Sequence, residues 1–255
     1  MMEKNSIPRT INYCWFGGAE LSPLAKKCIA SWKKYCPDFE IVRWDESNYP
    51  IENKCQFVQD AYKNKKWAFV SDYARLDIIY QNGGIYLDTD VEIIAPIEDL
   101  ITKTNGRYFG WQDCRWVNSG LGFALSSHDA LLKEMMLRYE SISFESNSLA
   151  NFTCPMINTE VLEQHGLVLN GKMQYIQNVY ILPPEFLCPI NLSTGIKSLT
   201  RNTISIHHYD GSWMEKHERT RMKLFISIKK VLPQSVTMII KKLAHRCQLG
   251  NVNEE

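Results

Sequence analysis

The chain has 255 residues, of which 45% are hydrophobic and 22% charged, so it can bury a sizeable core and is not disordered, collagenous or a coiled coil. Its net charge of +1 rules out a polycation built for nucleic acid. That sum hides an asymmetry. Residues 214–247 hold nine basic and two acidic residues, a local +7, which leaves −6 for the rest. The eight cysteines form no CxxC pair, and the N-terminus MMEKNSIPRT lacks an apolar core. Reduced thiols in a cytoplasmic protein without a signal peptide are therefore expected. No apolar run is long enough to span a bilayer.

In chain order, 11–16 reads as a strand running into Gly17-Gly18. Ser22-Pro23 is an N-cap and first-turn pair for a helix to about residue 35. A second strand is expected at 39–44. Over 67–82 the apolar positions Val70, Ala74, Ile78 and Ile79 follow helical spacing, and Gly83-Gly84 closes that helix. Ile85-Tyr86-Leu87 is a third strand ending at Asp88-Thr89-Asp90, and 91–94 extends it. Strands are expected at 109–111 and 121–125. A helix capped by Ser126 or Ser127 should run to about 139, and a polar loop is expected at 141–151. Strand–helix alternation predicts an α/β fold built on βαβ units.

Asp88 and Asp90 follow an apolar strand. In an extended segment they share a side and repel unless a cation lies between them. Hard cations such as Mg²⁺ or Mn²⁺ take oxygen ligands, often a carboxylate pair together with substrate phosphates. Asp72 and Arg75 sit at i and i+3 on the preceding helix and share a face flanked by Ala68, Leu76 and Ile79. A half-buried Asp–Arg pair suits fixed hydrogen bonding to a polyol and a phosphate. Near the C-terminus, 203–209 alternates apolar and polar residues. Ile204, Ile206 and His208 would share one face, which makes His208 the candidate third metal ligand. Gly211 allows close backbone approach to a diphosphate, and the Ser212 hydroxyl and Trp213 indole are donors for it. Asn118 and Ser119, before Gly120, are further candidates for the reaction centre.

The run WAFVSDYARLDIIYQNGGIYLDTDVEI closely resembles the sugar-binding, DxD-containing region of family 32 glycosyltransferases. These include bacterial capsule and O-antigen transferases and yeast initiating mannosyltransferases, and the large clostridial glucosylating toxins are related. The opening IPRTINYCWFGG and the later HHYDGSW are similar to two further motifs of the same family, so the likeness runs over about 7–213. Asn12 departs from it, standing where many relatives have histidine. The resemblance implies a GT-A fold, a Rossmann-like α/β/α sandwich over 1–213, with 214–255 as a C-terminal helical appendage. It implies retaining transfer from a nucleotide sugar, a UDP-sugar by preference, with Mn²⁺ or Mg²⁺. Asp88, Asp90 and Arg75 would be catalytic. Trp15, Ser71, Asp72, Arg75, Tyr86, Asp88, Ser212 and Trp213 would bind the donor. Asp88, Asp90 and His208 would hold the metal. The leaving phosphate would itself take the acceptor's proton, and no nucleophile is chosen among Asp113, Glu185 and Asp210.

The acceptor implied is a lipid-linked oligosaccharide in capsule or O-antigen assembly. The segment 214–247 supports this by its own pattern. Leu224, Phe225, Ile228, Val231 and Leu232 fall on one helical face, and Val236, Ile239, Ile240 and Leu243 repeat it after Pro233, with lysines off both faces. Two such helices either pack on the core or dock in the plane of an anionic membrane. Other readings compete. An effector transferase would modify protein, and a non-catalytic carbohydrate-binding protein would not need two carboxylates plus a third metal contact. IYLDTDVEI also resembles the nucleophile strand of haloacid-dehalogenase-type phosphatases. Here, however, it lies behind a helix carrying SDYAR, and no downstream lysine with paired acids follows.

Overall fold

The computed structural model describes residues 7–144, 153–191 and 195–211. Strand β1 (Thr10–Cys14) leads through the Gly17-Gly18 turn to α1 (Pro23–Tyr35). Ser22 caps α1 by accepting from the Ala25 N–H at 3.1 Å, and Pro23 opens its first turn. The helix buries Ala25, Cys28, Ile29 and Trp32, one stripe at helical spacing. Strand β2 (Glu40–Trp44), α2 (Gln56–Lys63) and α3 (Trp67–Asn82) follow. Gly83 at φ +68° ends α3, and Gly84 at φ +99° turns at once into β3 (Gly84–Tyr86). A Cβ on Gly84 would lie 2.4 Å from Thr10 Oγ1, so β1 and β3 can pair this closely only around glycine.

Beyond β3 come β4 (Val91–Ile93), α4 (Glu98–Thr104), β5 (Tyr108–Gly110), a 3-10 turn (Ser119–Leu121), β6 (Phe123–Leu125), α5 (Ala130–Glu140) and α6 (Cys154–Gln164). Then follow β7 (Gln174–Ile176), β8 (Val179–Leu182), α7 (Pro184–Leu187) and β9 (Ser205–His207). Seven strands form one mixed sheet in the order β2-β1-β3-β6-β5-β8-β7. β1 pairs in parallel with both β2 and β3, while β6 runs antiparallel to β3 and β5. Successive strand residues feed two separate cores. Tyr86, Phe109, Phe123 and Leu125 pack with α2, α3, α5 and α6, whereas Ile85, Leu87, Tyr108 and Ala124 pack with α1, α4 and α7. The fold is the α/β/α sandwich that the sequence predicts.

Several local expectations change. The third strand does not extend through 91–94. A turn at Asp88–Val91, closed by Val91 N–H to Asp88 O at 3.0 Å, sends β4 into a separate two-stranded sheet with β9. The cap of α5 is Asp129, not Ser126 or Ser127, because its carboxylate accepts from the Leu131 N–H at 3.0 Å. The expected strand 121–125 is split between the 3-10 turn and β6. Helices α2, α4 and α6 add to the expected elements, and α6 buries Cys154, Ile157, Val161 and Leu162 at helical spacing.

By its contacts the chain divides into two units, residues 1–189 with 199–209, and 190–198 with 210–255. Every element named here belongs to the first. The boundary expected at 213, the expected donor-binding role of Ser212 and Trp213, and the helices expected over 214–247 fall on residues outside those described. Cys14, Cys36, Cys55, Cys114 and Cys154 are free thiols.

Asn12, the departure from the family pattern, is a buried strut. Its Nδ2 donates to Ile85 O at 3.2 Å and its Oδ1 accepts from Trp44 Nε1 at 2.9 Å, tying β1, β2 and β3 together. Asn12→Ala leaves the half-buried Trp44 N–H without its acceptor and the Ile85 carbonyl without its donor. It should cost about 1–3 kcal/mol in equilibrium urea unfolding. Wild-type stability in that variant would show that the strut carries no weight.

Candidate active site

The chain leaves β1 for β2 on one side and reaches β3 on the other, so the carboxyl ends of β1 and β3 open a crevice where the sheet order reverses. Trp15 follows β1 at this end, half-buried, with its indole N–H donating to Ala19 O at 2.7 Å. Asp88 follows β3. Helix α3 crosses the same end and delivers Ser71, Asp72 and Arg75.

Arg75 organises these groups. Its side chain is 5% exposed, and its Nη2 lies 2.8 Å from Asp72 Oδ1 and 3.1 Å from Asp88 Oδ1. Its Nε donates to the Ser71 carbonyl at 3.2 Å, so Ser71 contributes backbone here. The guanidinium sits 5.2 Å from the centre of the Tyr86 ring, and the Tyr86 hydroxyl donates to Asp88 Oδ1 at 3.0 Å. Tyr86 is fully buried and props the pair from beneath. Asn118 holds the opposing turn by accepting from the Gly120 N–H at 2.7 Å. A Cβ on Gly120 would sit 2.6 Å from Asp88 Oδ2 and 3.1 Å from Arg75 Nη1, so glycine alone lets this turn abut the carboxylate.

Asp88, Asp90 and His207 each bring one ligand atom within 4.8 Å of the others. The histidine in this cluster is His207. The expected ligand, His208, instead places Nε2 2.8 Å from Glu92 Oε2. The reason lies in the Asp88–Val91 turn, which swings the Asp90 carboxylate to within 3.2 Å of His207 Nε2. Ser205, Ile206 and His207 are all buried, so alternation along the strand could not tell its two faces apart. Among the described residues the buried His207 Nδ1 has no hydrogen-bond partner. Two carboxylates and an imidazole suit a divalent cation. Of the proposed nucleophiles, Asp113 accepts from the Arg115 and Trp116 N–H groups and Glu185 from Asn202 Nδ2 at 2.7 Å, each pinning its own loop.

Residues 22–106, which run from the start of α1 to just past α4 and include the whole of α3 and the DxD turn, match the family described as a glycosyltransferase sugar-binding region containing a DXD motif. The chain thus carries a DXD glycosyltransferase region and is a transferase. Two solved structures are similar in fold. One is titled PaToxG glycosyltransferase, with 16% identity and a TM-score of 0.47 over 62% of this chain and 69% of that one. The other is titled a glycosyltransferase involved in the glycosylation of the major capsid of PBCV-1, with 15% identity and a TM-score of 0.41 over 84% and 99%. No curated protein matches the chain.

The transferase also has a buried polar layer behind its site that the sequence did not reveal. Cys154 Sγ lies 3.4 Å from Arg75 Nη1 and 3.0 Å from Ser119 Oγ, and Asn158 Oδ1 accepts from the Ser119 N–H at 2.9 Å. Both residues belong to α6, which follows a polar stretch and gives no local sign of its proximity to Arg75. Burial raises the Asp72 carboxyl to about 6, with Arg75 opposing and Asp88 adding to the rise. Burial also raises Asp88, against the pull of Arg75, and Asp90 pushes in the same direction as burial. Burial lowers the His207 imidazole, but the charge and hydrogen bond of Asp90 outweigh it and the net shift is upward.

Since Asp72 titrates near 6 in the fold, above its ordinary 3.8, its ionised form costs stability at pH above that window, and the cost disappears below it. Asp72→Asn should therefore unfold several degrees higher than wild type at pH 7.5, reflecting about 1–2 kcal/mol, and equal to it near pH 4. Scanning calorimetry at both pH values checks this. A lower melting temperature for the variant at pH 7.5 would contradict it.

Proposed function

We propose that the transferase moves a sugar, with retention, from a nucleotide sugar to a lipid-linked or surface polysaccharide acceptor, and that a UDP-sugar is its donor. The observation that carries the donor half is that one carboxylate, Asp88, joins the Asp72–Arg75 pair to the Asp88–Asp90–His207 cluster. A nucleotide sugar has hydroxyls at one end and a diphosphate beside them, and this arrangement offers a partner for each. Asp72 and Arg75 hold the sugar hydroxyls, Tyr86 keeps Asp88 oriented, and Trp15 stacks on the base. Mn²⁺ or Mg²⁺, held by Asp88, Asp90 and His207, would offset the charge that develops on the departing diphosphate. The family resemblance adds Ser212 and Trp213 as donors to that diphosphate. The chain supplies no separate base in this reading, and the leaving phosphate accepts the acceptor's proton.

Donor hydrolysis tests the first half. With a panel of nucleotide sugars, released nucleotide should vanish in EDTA and return with Mn²⁺. Asp90→Asn should lower the rate on the order of 10²-fold. Undiminished release in EDTA would remove the metal-dependent reading.

The acceptor half is supported by the basic, amphipathic 214–247. Among the described residues no helix is long and apolar enough to cross a membrane. In-plane docking at the inner face of the plasma membrane would bring the site to a lipid-linked oligosaccharide, with about 1 kcal/mol from each Lys or Arg near an anionic surface. The full chain should float with anionic vesicles at low salt and release at high salt, whereas a chain truncated after Trp213 should not float. Failure of the full chain to float at low salt would rule out the membrane reading and leave a protein or soluble glycan acceptor.

A further inference from the structure

His207 reaches the carboxylates from a small platform. β4 and β9 form a two-stranded sheet of three residue pairs, Val91 with His207, Glu92 with Ile206 and Ile93 with Ser205. A ribbon of that size is marginal by itself. The register continues one step past β9, where the His208 N–H donates to Asp90 O at 3.0 Å. At the same place one oxygen gathers three elements. Glu92 Oε2, on β4, lies 2.8 Å from His208 Nε2 just past β9 and 2.8 Å from Lys27 Nζ on α1.

We propose that Glu92 is a positioning residue for the Asp88–Asp90–His207 cation site, acting through His208. The proposal rests on the reading of that cluster as a metal site. His207 and His208 are consecutive, so anchoring the His208 ring to β4 and α1 fixes the backbone from which His207 projects. The His207 ring has few other holds. Its Nε2 faces Asp90, and its Nδ1 has no hydrogen-bond partner among the described residues. The Tyr209 ring stands edge-on at 4.0 Å. Tyr209 itself takes a left-handed backbone, φ +50°, with its hydroxyl 2.9 Å from Cys188 Sγ. A non-glycine residue held in that conformation needs its neighbours fixed, and the Glu92–His208 contact lies immediately before it.

Binding of Mn²⁺ to the full chain without donor, followed by isothermal titration calorimetry, tests the role apart from turnover. Glu92→Ala and His208→Ala should each weaken Mn²⁺ binding 10- to 100-fold, and the double variant should lose no more than either alone. The melting temperature of the metal-free protein serves as the readout of a merely structural role and should stay within a few degrees of wild type. If Glu92→Ala does not fold, His208→Ala carries the test. His207→Ala separates the two layers of the argument. Mn²⁺ bound by that variant as by wild type would overturn the metal reading itself. Loss there, with wild-type affinity in both Glu92→Ala and His208→Ala, would overturn only the positioning role.

Discussion

A guanidinium buried to 5% exposure must be paired, because an isolated charge taken from water costs several kcal/mol. The site of this transferase is arranged around that necessity. Arg75 meets Asp72 on its own helix and Asp88 from the neighbouring strand end, and rests over the Tyr86 ring. Asp88 is thereby held from two directions, by the guanidinium and by the Tyr86 hydroxyl. The charge balance is left incomplete on the anionic side. Asp72 and Asp88 share one arginine, and the burial that raises both is the mark of a place where further positive charge would be welcome.

The main sheet supplies the rigidity that such a cluster needs. β1 and β3 are interior strands, locked to β2 by the Asn12 strut, and both faces of the sheet are covered by helices. The turn Ser119–Leu121 closes against Asp88 from the β6 side, set by Asn118 within the turn and by Asn158 from α6. One missing Cβ at Gly120 decides whether that closure is possible. The cation cluster has a different foundation. Asp88 hangs from the large sheet, while His207 comes from the small one, so its geometry depends on how the two meet at the Asp88–Val91 turn. Trp32 of α1 reinforces that junction by donating to Val91 O at 2.7 Å.

Much of this was legible in the chain. Ser22-Pro23 and Gly83-Gly84 mark the ends of α1 and α3 because capping and left-handed backbone are local chemistry, decided within a few residues. Asp72 and Arg75 share a face because helical spacing requires it, and the DxD pair announces itself by repelling charge in a short segment. The α/β class follows from alternating periods.

Only the tertiary structure decided the rest. Whether His207 or His208 meets the carboxylates turns on a bend at Asp88–Val91 and on pairing between segments more than a hundred residues apart, where both faces of β9 are equally buried. The cysteine and asparagine of α6 become neighbours of Arg75 for the same reason. Local periodicity fixes which residues share a face of their own element, but which elements then touch is settled by packing around the sheet, and no spacing along the chain encodes that contact directly.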